Sequence, residues 1–429
     1  MCNFLAAGAI VAGGSALSLW EPYLGLEGTD TGWLGALSAN GIGAGVGAFL
    51  GGFLADRYGR RNVFTYNMLC YMLGTFLIMT ATSFIQLLTG TIITGIAAGI
   101  SVPASWTYIC ECSGQTHRAR NIALSQMGWG LGPAVVLLLS YLMAPGGPLF
   151  DFVVDVADSF GIRANRTHEV NIFASRIVFG LLFIDAFFAW MFMRHLEPSN
   201  EWLNNKDKIN KDKPLFSNLS IIFHDKHKGT LIGLTAMYLV WNLVAGAMGF
   251  FQGHIYETAG HLSNAMANLT LAEQWLLTAV ITGLGAFYID RFEHRKLLVG
   301  FVAIGAVAWL TVVFGLMNSY TGIMIITLLW AIQAGISVQF FFALWGVELF
   351  PFKYRAAAIG VMFCIVRVLS AVVSFGFSDL YASFGPDMIR YNSILMFALF
   401  ALSGYIGWRI APETRGKTMT EITEERYGK

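Results

Sequence analysis

Long apolar segments alternate with short polar loops along the whole chain. A membrane-spanning helix needs about 20 largely apolar residues. The segments lack the two-residue alternation of barrel strands, and in lipid only helices or closed barrels satisfy the backbone. The pattern therefore predicts an all-α polytopic membrane protein with twelve transmembrane helices. The twelve segments lie at roughly 4–20, 32–54, 63–81, 85–110, 122–143, 171–193, 230–252, 271–289, 297–317, 322–347, 356–379 and 391–411.

Composition and charge agree with this assignment. The chain is 56% hydrophobic and 12% charged, whereas about 25% of the residues in a soluble domain are charged. If both termini are cytoplasmic, 22 of the 27 lysines and arginines fall on the inner side, as the positive-inside rule requires. We therefore expect a multi-pass protein of the plasma membrane or cell inner membrane with both termini in the cytoplasm. The first segment lacks a basic start and a cleavage site, which favours a membrane helix over a signal peptide.

A polar, lysine-rich stretch near the middle divides the chain. It covers residues 197–228, and we expect a cytoplasmic linker with short helices around 215–224. Six apolar segments precede it and six follow it. The predicted units are therefore an N-terminal six-helix bundle over 1–196, a C-terminal bundle over 229–411 and a cytoplasmic tail over 412–429.

Two polar patterns occur once in each half. The stretch Gly51–Arg61 has a weaker copy at Gly285–Lys296, which places Asp56 and Asp290 234 positions apart. A glutamate followed seven positions later by an arginine also occurs twice, as Glu111 with Arg118 and as Glu348 with Arg355. Duplicated six-helix halves around a central site are a transporter architecture. The repeats thus predict two pseudo-symmetric bundles.

The same stretches carry a family resemblance that spans the whole chain. The segment Gly52–Arg61 resembles the signature loop of the major facilitator superfamily. Glu348–Arg355, Leu196–Leu203 and Pro412–Thr418 resemble segments that follow the tenth, sixth and twelfth helices in its sugar-porter and organic-ion-transporter branches. The resemblance implies a secondary transporter that works by alternating access, and not an enzyme.

The resemblance also implies an inner gate built from charged side chains. Such pairs would form when the inner side is shut and separate when it opens. The alternative is a set of static surface ion pairs, each contributing ~0–1 kcal/mol. The candidate gate residues are Asp56, Arg57, Arg60, Arg61, Glu111, Arg118, Glu197, Asp290, Arg291, Glu348, Arg355 and Glu413.

Arg367 is the leading candidate for contact with the substrate. It lies about 11 residues into the eleventh segment, and an ion inside a membrane is functional by default. It could bind a carboxylate-bearing substrate, or it could have a structural partner such as a buried acid. Amides suit hydroxyl or carboxylate recognition because they both donate and accept hydrogen bonds. The amide candidates are Asn40, Gln126, Asn242, Gln252, Gln333 and Gln339.

Four titratable residues are candidates for proton coupling. Asp185 lies in the middle of the sixth segment, while Glu21 and Glu257 end the first and seventh segments. His254 lies one helical turn before Glu257, and a carboxylate beside an imidazole can carry a proton. The alternative for the last three residues is a polar outer rim.

These residues lead to one principal function and two alternatives. The principal one is a secondary active transporter of a small polar organic solute, a carboxylate-bearing metabolite or a sugar, with proton coupling. The alternatives are a neutral sugar symporter or facilitative uniporter, and a transporter-derived solute sensor. We expect a monomer whose partners are the solute, protons and the lipid bilayer, with no nucleic acid. We expect no cofactor and no metal, because no second Cys/His pair complements Cys110 and Cys112.

Overall fold

The computed structural model describes an all-α protein. The described residues are 1–38, 41–114, 117–162, 167–206, 214–223, 225–258, 261–316, 319–384, 387–410 and 412–428. Eleven helices in these ranges are long and apolar enough to cross a membrane, or twelve if one bent pair counts as a single span. The expected all-α polytopic fold is therefore confirmed.

The described residues of the first half form nine α-helices, of which one is a short amphipathic helix in a loop between two spanning helices. The spanning helices of this half pack on one another and partly on helices of the second half. The bounds are α1 Cys2–Ser15, α2 Leu17–Leu24, α3 Gly28–Leu37, α4 Ile42–Tyr58, α5 Arg60–Met79, α6 Phe84–Cys112, α7 Arg118–Met143, α8 Phe150–Ser159 and α9 Thr167–Met193.

In the part of the chain that the structure describes, two short α-helices lie in the segment between the halves, and eight α-helices follow. The short pair is α10 Asn200–Asn205 and α11 Leu219–Ile222. The later helices are α12 Asp225–Thr258, α13 Asn264–Tyr288, α14 His294–Val313, α15 Tyr320–Gly335, α16 Val338–Glu348, α17 Arg355–Phe384, α18 Asp387–Ile410 and α19 Met419–Tyr427.

The first span is bent rather than continuous. Helices α1 and α2 meet at Ala16 with an angle of 51° between them. Two residues, Ile336 and Ser337, separate α15 from α16 in another span. Both breaks lie in helices that line the central cavity described below, where irregular backbone can be tolerated inside a membrane protein.

Two long helix pairs join the halves. Helix α4 packs along α17, and α7 packs along α13. Glycines allow the backbones to approach closely: a Cβ added at Gly52 would lie 2.4 Å from the carbonyl oxygen of Ala356, and one at Gly130 would lie 2.9 Å from the backbone nitrogen of Ala279. Small residues at such interfaces permit close helix packing in lipid. The halves therefore meet along smooth backbone surfaces.

Candidate functional site

A cavity of about 60 Å³ lies between the two halves. The first half contributes residues of α1 and α7 to its wall, and the second half contributes residues of α12, α13, α15, α16 and α17. A site that both halves share can change its accessibility when one half moves relative to the other. The cavity is therefore the candidate binding site.

Four tryptophans form much of the cavity wall. Trp129 belongs to the first half, and Trp241, Trp275 and Trp330 belong to the second. Trp330 is held by edge-on contacts with Trp309, at 5.9 Å between ring centroids, and with Phe400, at 5.8 Å. These rings offer large flat apolar surfaces to a bound molecule.

Buried amides lie between the tryptophans. Gln333 lines the cavity with 0% of its surface exposed, and both atoms of its amide lack a hydrogen-bond partner among the described residues. Gln339 donates to the side-chain oxygen of Gln126 at 3.4 Å, which links the two halves beside the cavity. Because buried polar groups are almost always paired, the amide of Gln333, which has no such partner among the described residues, is a candidate contact for a polar ligand.

Arg367 brings a positive charge to the cavity wall. Its side chain is buried, and the guanidinium lies over the Phe363 ring at 4.7 Å and faces the Tyr238 hydroxyl. The described residues that line the cavity include no aspartate or glutamate. The electrostatic potential inside the cavity is thus set by arginine, amides and indole rings.

The remaining amide candidates divide between the cavity and packing. Asn242 lines the cavity and accepts a hydrogen bond from Ser370 at 3.1 Å. Gln252 also reaches the cavity, but its amide donates to Gln274 at 2.8 Å and to the Tyr256 hydroxyl at 2.9 Å. Gln252 is therefore engaged within the second half. Asn40 lies outside the described residues.

The candidate proton-coupling residues do not share one location. Asp185 is half-buried on α9, on a helix that packs against α5 and contributes nothing to the described cavity wall. Glu21 accepts from Thr31 at 3.4 Å. Glu257 accepts from Asn264 at 2.8 Å, and Asn264 also donates to Ser18 of the first half at 3.0 Å. The side chain of His254 lies outside the described part of the chain.

Asp56 joins the halves at the end of the molecule where the arginine-rich loops lie, which we call the basic end. Its two carboxylate oxygens accept from the backbone N–H groups of Ala356, at 3.4 Å, and Ala357, at 2.8 Å, at the start of α17. Exposed N–H groups and the helix dipole make a helix N-terminus a favourable place for an anion. Asp56 therefore caps a helix of the other half.

Arg60 and Glu111 extend this contact. Arg60 pairs with Asp56 and with Glu111, each at 2.9 Å, and donates to the carbonyl oxygen of Phe352 in the second half at 3.0 Å. Glu111, with a fully buried side chain, lies 3.8 Å from Arg355 of the second half. Removing one partner of such a buried pair costs several kcal/mol.

A second cross-half contact lies beside the first. Arg118 of the first half donates to Glu348 of the second at 3.1 Å and to the carbonyl oxygen of Lys417 at 2.8 Å. Both charged side chains are 4% exposed. Together, the contacts of Asp56, Arg60, Glu111 and Arg118 form what we call the cross-half network, which joins the two halves at the basic end.

Other predicted gate residues occupy the margins of this network. Asp290 is exposed in a short 3-10 turn, and the carbonyl oxygen of Arg291 accepts from Arg415 at 3.2 Å. Arg61 donates to the backbone of Arg194, and Arg57 lies over the ring of Tyr58. The second-half loop thus does not reproduce the contacts of the first.

Two predicted glutamates differ in what they contribute. Glu197 is exposed and offers its carbonyl oxygen to the hydroxyl of Tyr108 at 2.7 Å. Glu413 lies 3.8 Å from His294 and accepts from the backbone of Arg415 at 3.2 Å. Their carboxylates lie beside the cross-half network rather than within it.

Sequence reasoning missed several residues that the structure brings to these sites. Ser199 hydrogen-bonds Glu111, and Glu201 lies 3.4 Å from Arg355. Both follow Glu197 in the same short segment, so the charge pattern indicated the segment but not the residue. Trp129 and Trp275 line the cavity, yet an isolated tryptophan in an apolar segment resembles one that packs against lipid.

Comparisons with known proteins agree with the geometry. A family profile described as Major Facilitator Superfamily matches residues 1–375. The minor myo-inositol transporter IolF of Bacillus subtilis (strain 168) is 36% identical over 436 residues, with 100% of this chain and 92% of that protein covered. The glucose transporter GlcP of Staphylococcus epidermidis is 25% identical over 429 residues, with 90% and 86% covered.

A solved structure shares the fold. The proton:xylose symporter XylE, bound to 6-bromo-6-deoxy-D-glucose, superposes with a TM-score of 0.77 over 99% of this chain and 97% of that one. The two sequences are 17% identical. The likeness therefore concerns the arrangement of helices.

Proposed function

We propose a function that starts from the family: the chain belongs to the Major Facilitator Superfamily, and the relatives described above are transporters and not enzymes. We propose that it is a secondary carrier of a small polyhydroxylated ring. The substrate class is a sugar or a cyclic polyol, and the protein moves it by alternating access as a monomer. The observation that carries this proposal is the cavity between the halves, with tryptophan walls and buried amides.

The chemistry of the wall suits such a ring. The C–H faces of a sugar or cyclic polyol are apolar and pack on indole rings such as Trp241 and Trp330. Its hydroxyl groups both donate and accept, as amides do. A ligand hydroxyl beside Gln333 would satisfy both atoms of that amide, which have no partner among the described residues. Desolvation of a buried amide without a partner costs about 1–3 kcal/mol, so binding there is selective for a polar solute.

The relatives support the same class. A protein described as a minor myo-inositol transporter is 36% identical to this chain over its full length. A glucose transporter covers 90% of the chain at lower identity. Both solutes are polyhydroxylated six-membered rings, and both match the mixture of flat apolar and amide surfaces in the cavity.

Alternating access follows from the contacts at the two ends. With the basic end on the cytoplasmic side, the cross-half network would separate to release solute into the cell. Asn264 and Ser18 would separate at the opposite end to admit it, because their 3.0 Å hydrogen bond also joins the two halves. The close-packed pairs of α4 with α17 and of α7 with α13 provide the surfaces about which the halves rock.

Proton coupling is the second part of the proposal. Glu257 is the favoured proton carrier among the four candidates, since it is bonded to Asn264, the residue that also touches the first half. Protonation of Glu257 would change a contact at the opening itself. Asp185, by contrast, lies on a helix that contributes nothing to the described cavity wall.

A carboxylate-bearing solute is a second candidate, favoured by Arg367. Its buried guanidinium lines a cavity whose described wall has no acidic side chain. A charge-assisted hydrogen bond from arginine to carboxylate is about twice as strong as a neutral one. A sugar acid would use both this charge and the amides.

A ligand screen separates these candidates. We expect myo-inositol, D-glucose or D-xylose to raise the melting temperature of the purified protein. D-glucuronate and benzoate test the carboxylate alternative. Stabilisation by glucuronate alone would favour the anionic substrate, and stabilisation by none of the five would contradict the substrate class.

Uptake into proteoliposomes then tests transport and coupling. We expect saturable uptake of the stabilising solute, which an inward proton gradient accelerates and Glu257→Gln makes insensitive to that gradient. Uptake that ignores the gradient in the wild type would indicate a uniporter. Binding without any flux would contradict a carrier and would support the sensor alternative.

A further inference from the structure

A histidine stands in the second half where the first half has an arginine. Asp56 and Asp290 are equivalent in the two copies of the duplicated loop, and Arg57 is equivalent to Arg291. The same offset of 234 residues makes His294 the counterpart of Arg60. The first copy thus carries a permanent cation at this position, and the second carries an imidazole, which can be neutral or positively charged.

His294 is buried at the first turn of α14. Its side chain is 2% exposed, and Nδ1 lies 3.3 Å from the hydroxyl of Thr414 and 3.8 Å from a carboxylate oxygen of Glu413. Nε2 is buried without a hydrogen-bond partner among the described atoms. The ring also packs beside Phe341 of α16, at 6.0 Å between centroids. A change of protonation here is therefore felt by neighbouring protein groups, since little water reaches the ring.

Charged groups of both signs surround this ring. Asp290 approaches from the turn before α14, and Glu413 and Arg415 approach from the tail. From α16, Glu348 lies close to Thr414. Among the helices packed on α14, α18 carries an exposed arginine, Arg409, at its last turn, and α15 contains no Asp, Glu, Lys, Arg or His.

The tail links His294 to the cross-half network. Thr414 lies 3.3 Å from His294 and close to Glu348, and three residues later the carbonyl oxygen of Lys417 accepts from Arg118 of the first half. Glu348 pairs with the same arginine at 3.1 Å. The position of segment 413–417 therefore sets one of the two hydrogen bonds that Arg118 makes to the second half.

We propose that His294 is a proton-sensitive switch that sets how firmly the basic end is closed. The proposal concerns regulation of the gate and rests on the carrier function proposed above. A protonated ring places a positive charge 3.8 Å from Glu413, which holds the tail against α14 and keeps Lys417 in place for Arg118. A neutral ring loses that attraction, the tail loosens, and the basic end opens more readily. Acidification at the basic end thus favours closure.

The test measures the distance between the halves at the basic end without any solute. Spin labels are attached at Asn62 and Lys353, exposed positions on opposite halves, after the five native cysteines are replaced. Distance distributions are recorded in lipid nanodiscs at several pH values from about pH 4.5 to about pH 8, because burial disfavours the charged form of an imidazole and protonation of the ring therefore needs an acidic condition. The variants are His294→Arg, His294→Gln and, as a matched control, His195→Gln, which removes an exposed histidine of the same end.

We expect the long-distance population of the wild type to rise several-fold from the acidic to the alkaline condition. His294→Arg should keep the short distance at every pH value, His294→Gln should show the alkaline distribution throughout, and His195→Gln should respond as the wild type does. A wild type without a pH response, or a response that survives in His294→Gln, would overturn the proposal. If His294→Arg does not fold, the comparison of the wild type with His294→Gln still shows whether the pH response depends on His294.

The same measurement separates this proposal from the proposed function. It needs no substrate, so an incorrect substrate class leaves the distances unchanged. A flat pH response in a protein that transports solute would reject the switch alone.

Discussion

Two buried glutamines of the second half differ in what their amides contact. Gln333 faces the cavity with neither amide atom bonded among the described residues, whereas Gln274 exchanges hydrogen bonds with Gln252 at 2.8 and 3.2 Å. We expect Gln333→Leu to weaken solute binding about tenfold or more, since it removes a polar contact that only the ligand satisfies. We expect Gln274→Leu to lower stability by about 1–3 kcal/mol, because it leaves Gln252 buried with part of its amide unpaired.

The pair is compared by isothermal titration and by thermal unfolding of both variants. The Gln333→Leu protein should unfold at or above the wild-type temperature while its affinity falls. Equal losses of stability in the two variants would mean that Gln333 is a packing residue.

Glu111 and Glu201 both lie near Arg355 but differ in exposure. The Glu111 side chain is fully buried, while that of Glu201 is 37% exposed. Removing one partner of a buried pair costs about 3–5 kcal/mol, and an exposed pair contributes about 0–1 kcal/mol. We therefore expect Glu111→Gln to open the basic end strongly and Glu201→Gln to change it little. Alkylation of a cysteine introduced near Phe352 measures the opening, and similar rates in both variants would contradict this reading of the network.

At the scale of single residues, the sequence predicts the location of a side chain when its charge and its position along a membrane-spanning segment are enough to determine it. The position of Arg367 in the cavity wall could be predicted, because a charged side chain in the middle of an apolar segment is costly in lipid and usually faces a cavity. The choice between Glu197 and Glu201 could not be made, since it depends on how the chain enters α10 and on which side of that helix each carboxylate lies. The sequence predicts that Asp290 acts like Asp56, but Asp290 lies exposed in a 3-10 turn. The similar sequences of the two loops do not show this difference in backbone conformation.

Two glycines test separately the packing within one half and the packing between halves. A Cβ at Gly99 of α6 would lie 2.1 Å from the carbonyl oxygen of Ala44 in the same half, and a Cβ at Gly52 of α4 would lie 2.4 Å from that of Ala356 in the other. We expect Gly99→Ala to lower stability by about 1–3 kcal/mol through overpacking. Gly52→Ala should instead force α4 and α17 apart and favour an open basic end.

Thermal unfolding and cysteine accessibility at the basic end distinguish the two effects. Gly52→Ala should retain most of its unfolding temperature and become more accessible. If Gly52→Ala unfolds as early as Gly99→Ala with no gain of accessibility, the α4–α17 contact would be a fixed core rather than a moving surface.

At the scale of helices, apolar length predicts which segments span the membrane but not where a span breaks. The bend at Ala16 directly follows Gly13, Gly14 and Ser15 inside an otherwise apolar segment, and such residues weaken a helix without showing whether it bends. The amphipathic helix α8 and the tail helix α19 are short and polar on one face. A long apolar segment, which predicts a membrane-spanning helix, therefore does not mark either of them in the sequence. Both are held by contacts: Val153 of α8 is buried against α7 and α9 residues, and Tyr427 of α19 donates to Leu349.

Considered as a whole, the molecule should be arrested by a link between its halves at the end opposite the network. Ser18 and Asn264 approach to 3.0 Å there. In a background without native cysteines, we expect Ser18→Cys with Asn264→Cys, joined by a short thiol-specific crosslinker, to lose nearly all uptake. Uptake should return when the linker is cleaved with a reductant. Each single cysteine variant, treated in the same way, serves as the control.

Unimpaired uptake by the crosslinked protein would exclude separation of the halves at this end. A loss that also occurs in the single variants would trace to the modified side chain and not to the link. The experiment therefore addresses alternating access without knowledge of the coupling ion.

The duplicated motifs predict two related halves, and the profile match and structural likeness confirm a transporter of this fold. They do not predict how unequal the halves are. The first loop caps a helix of the other half through Asp56, while the second turns its histidine toward the tail. Such differences arise from packing between segments far apart in the chain, which no local pattern records.

The unequal closure of the two ends has a consequence for sidedness. Buried ion pairs hold the basic end, whereas a neutral hydrogen bond joins Asn264 and Ser18 at the other. If the protein is a carrier as proposed, it should therefore rest, when empty, with its site presented to the side away from the basic end. Solute arriving from that side should half-saturate transport at a lower concentration than solute arriving from the basic side. A competitor that cannot cross the membrane should accordingly be far more potent from one side than from the other.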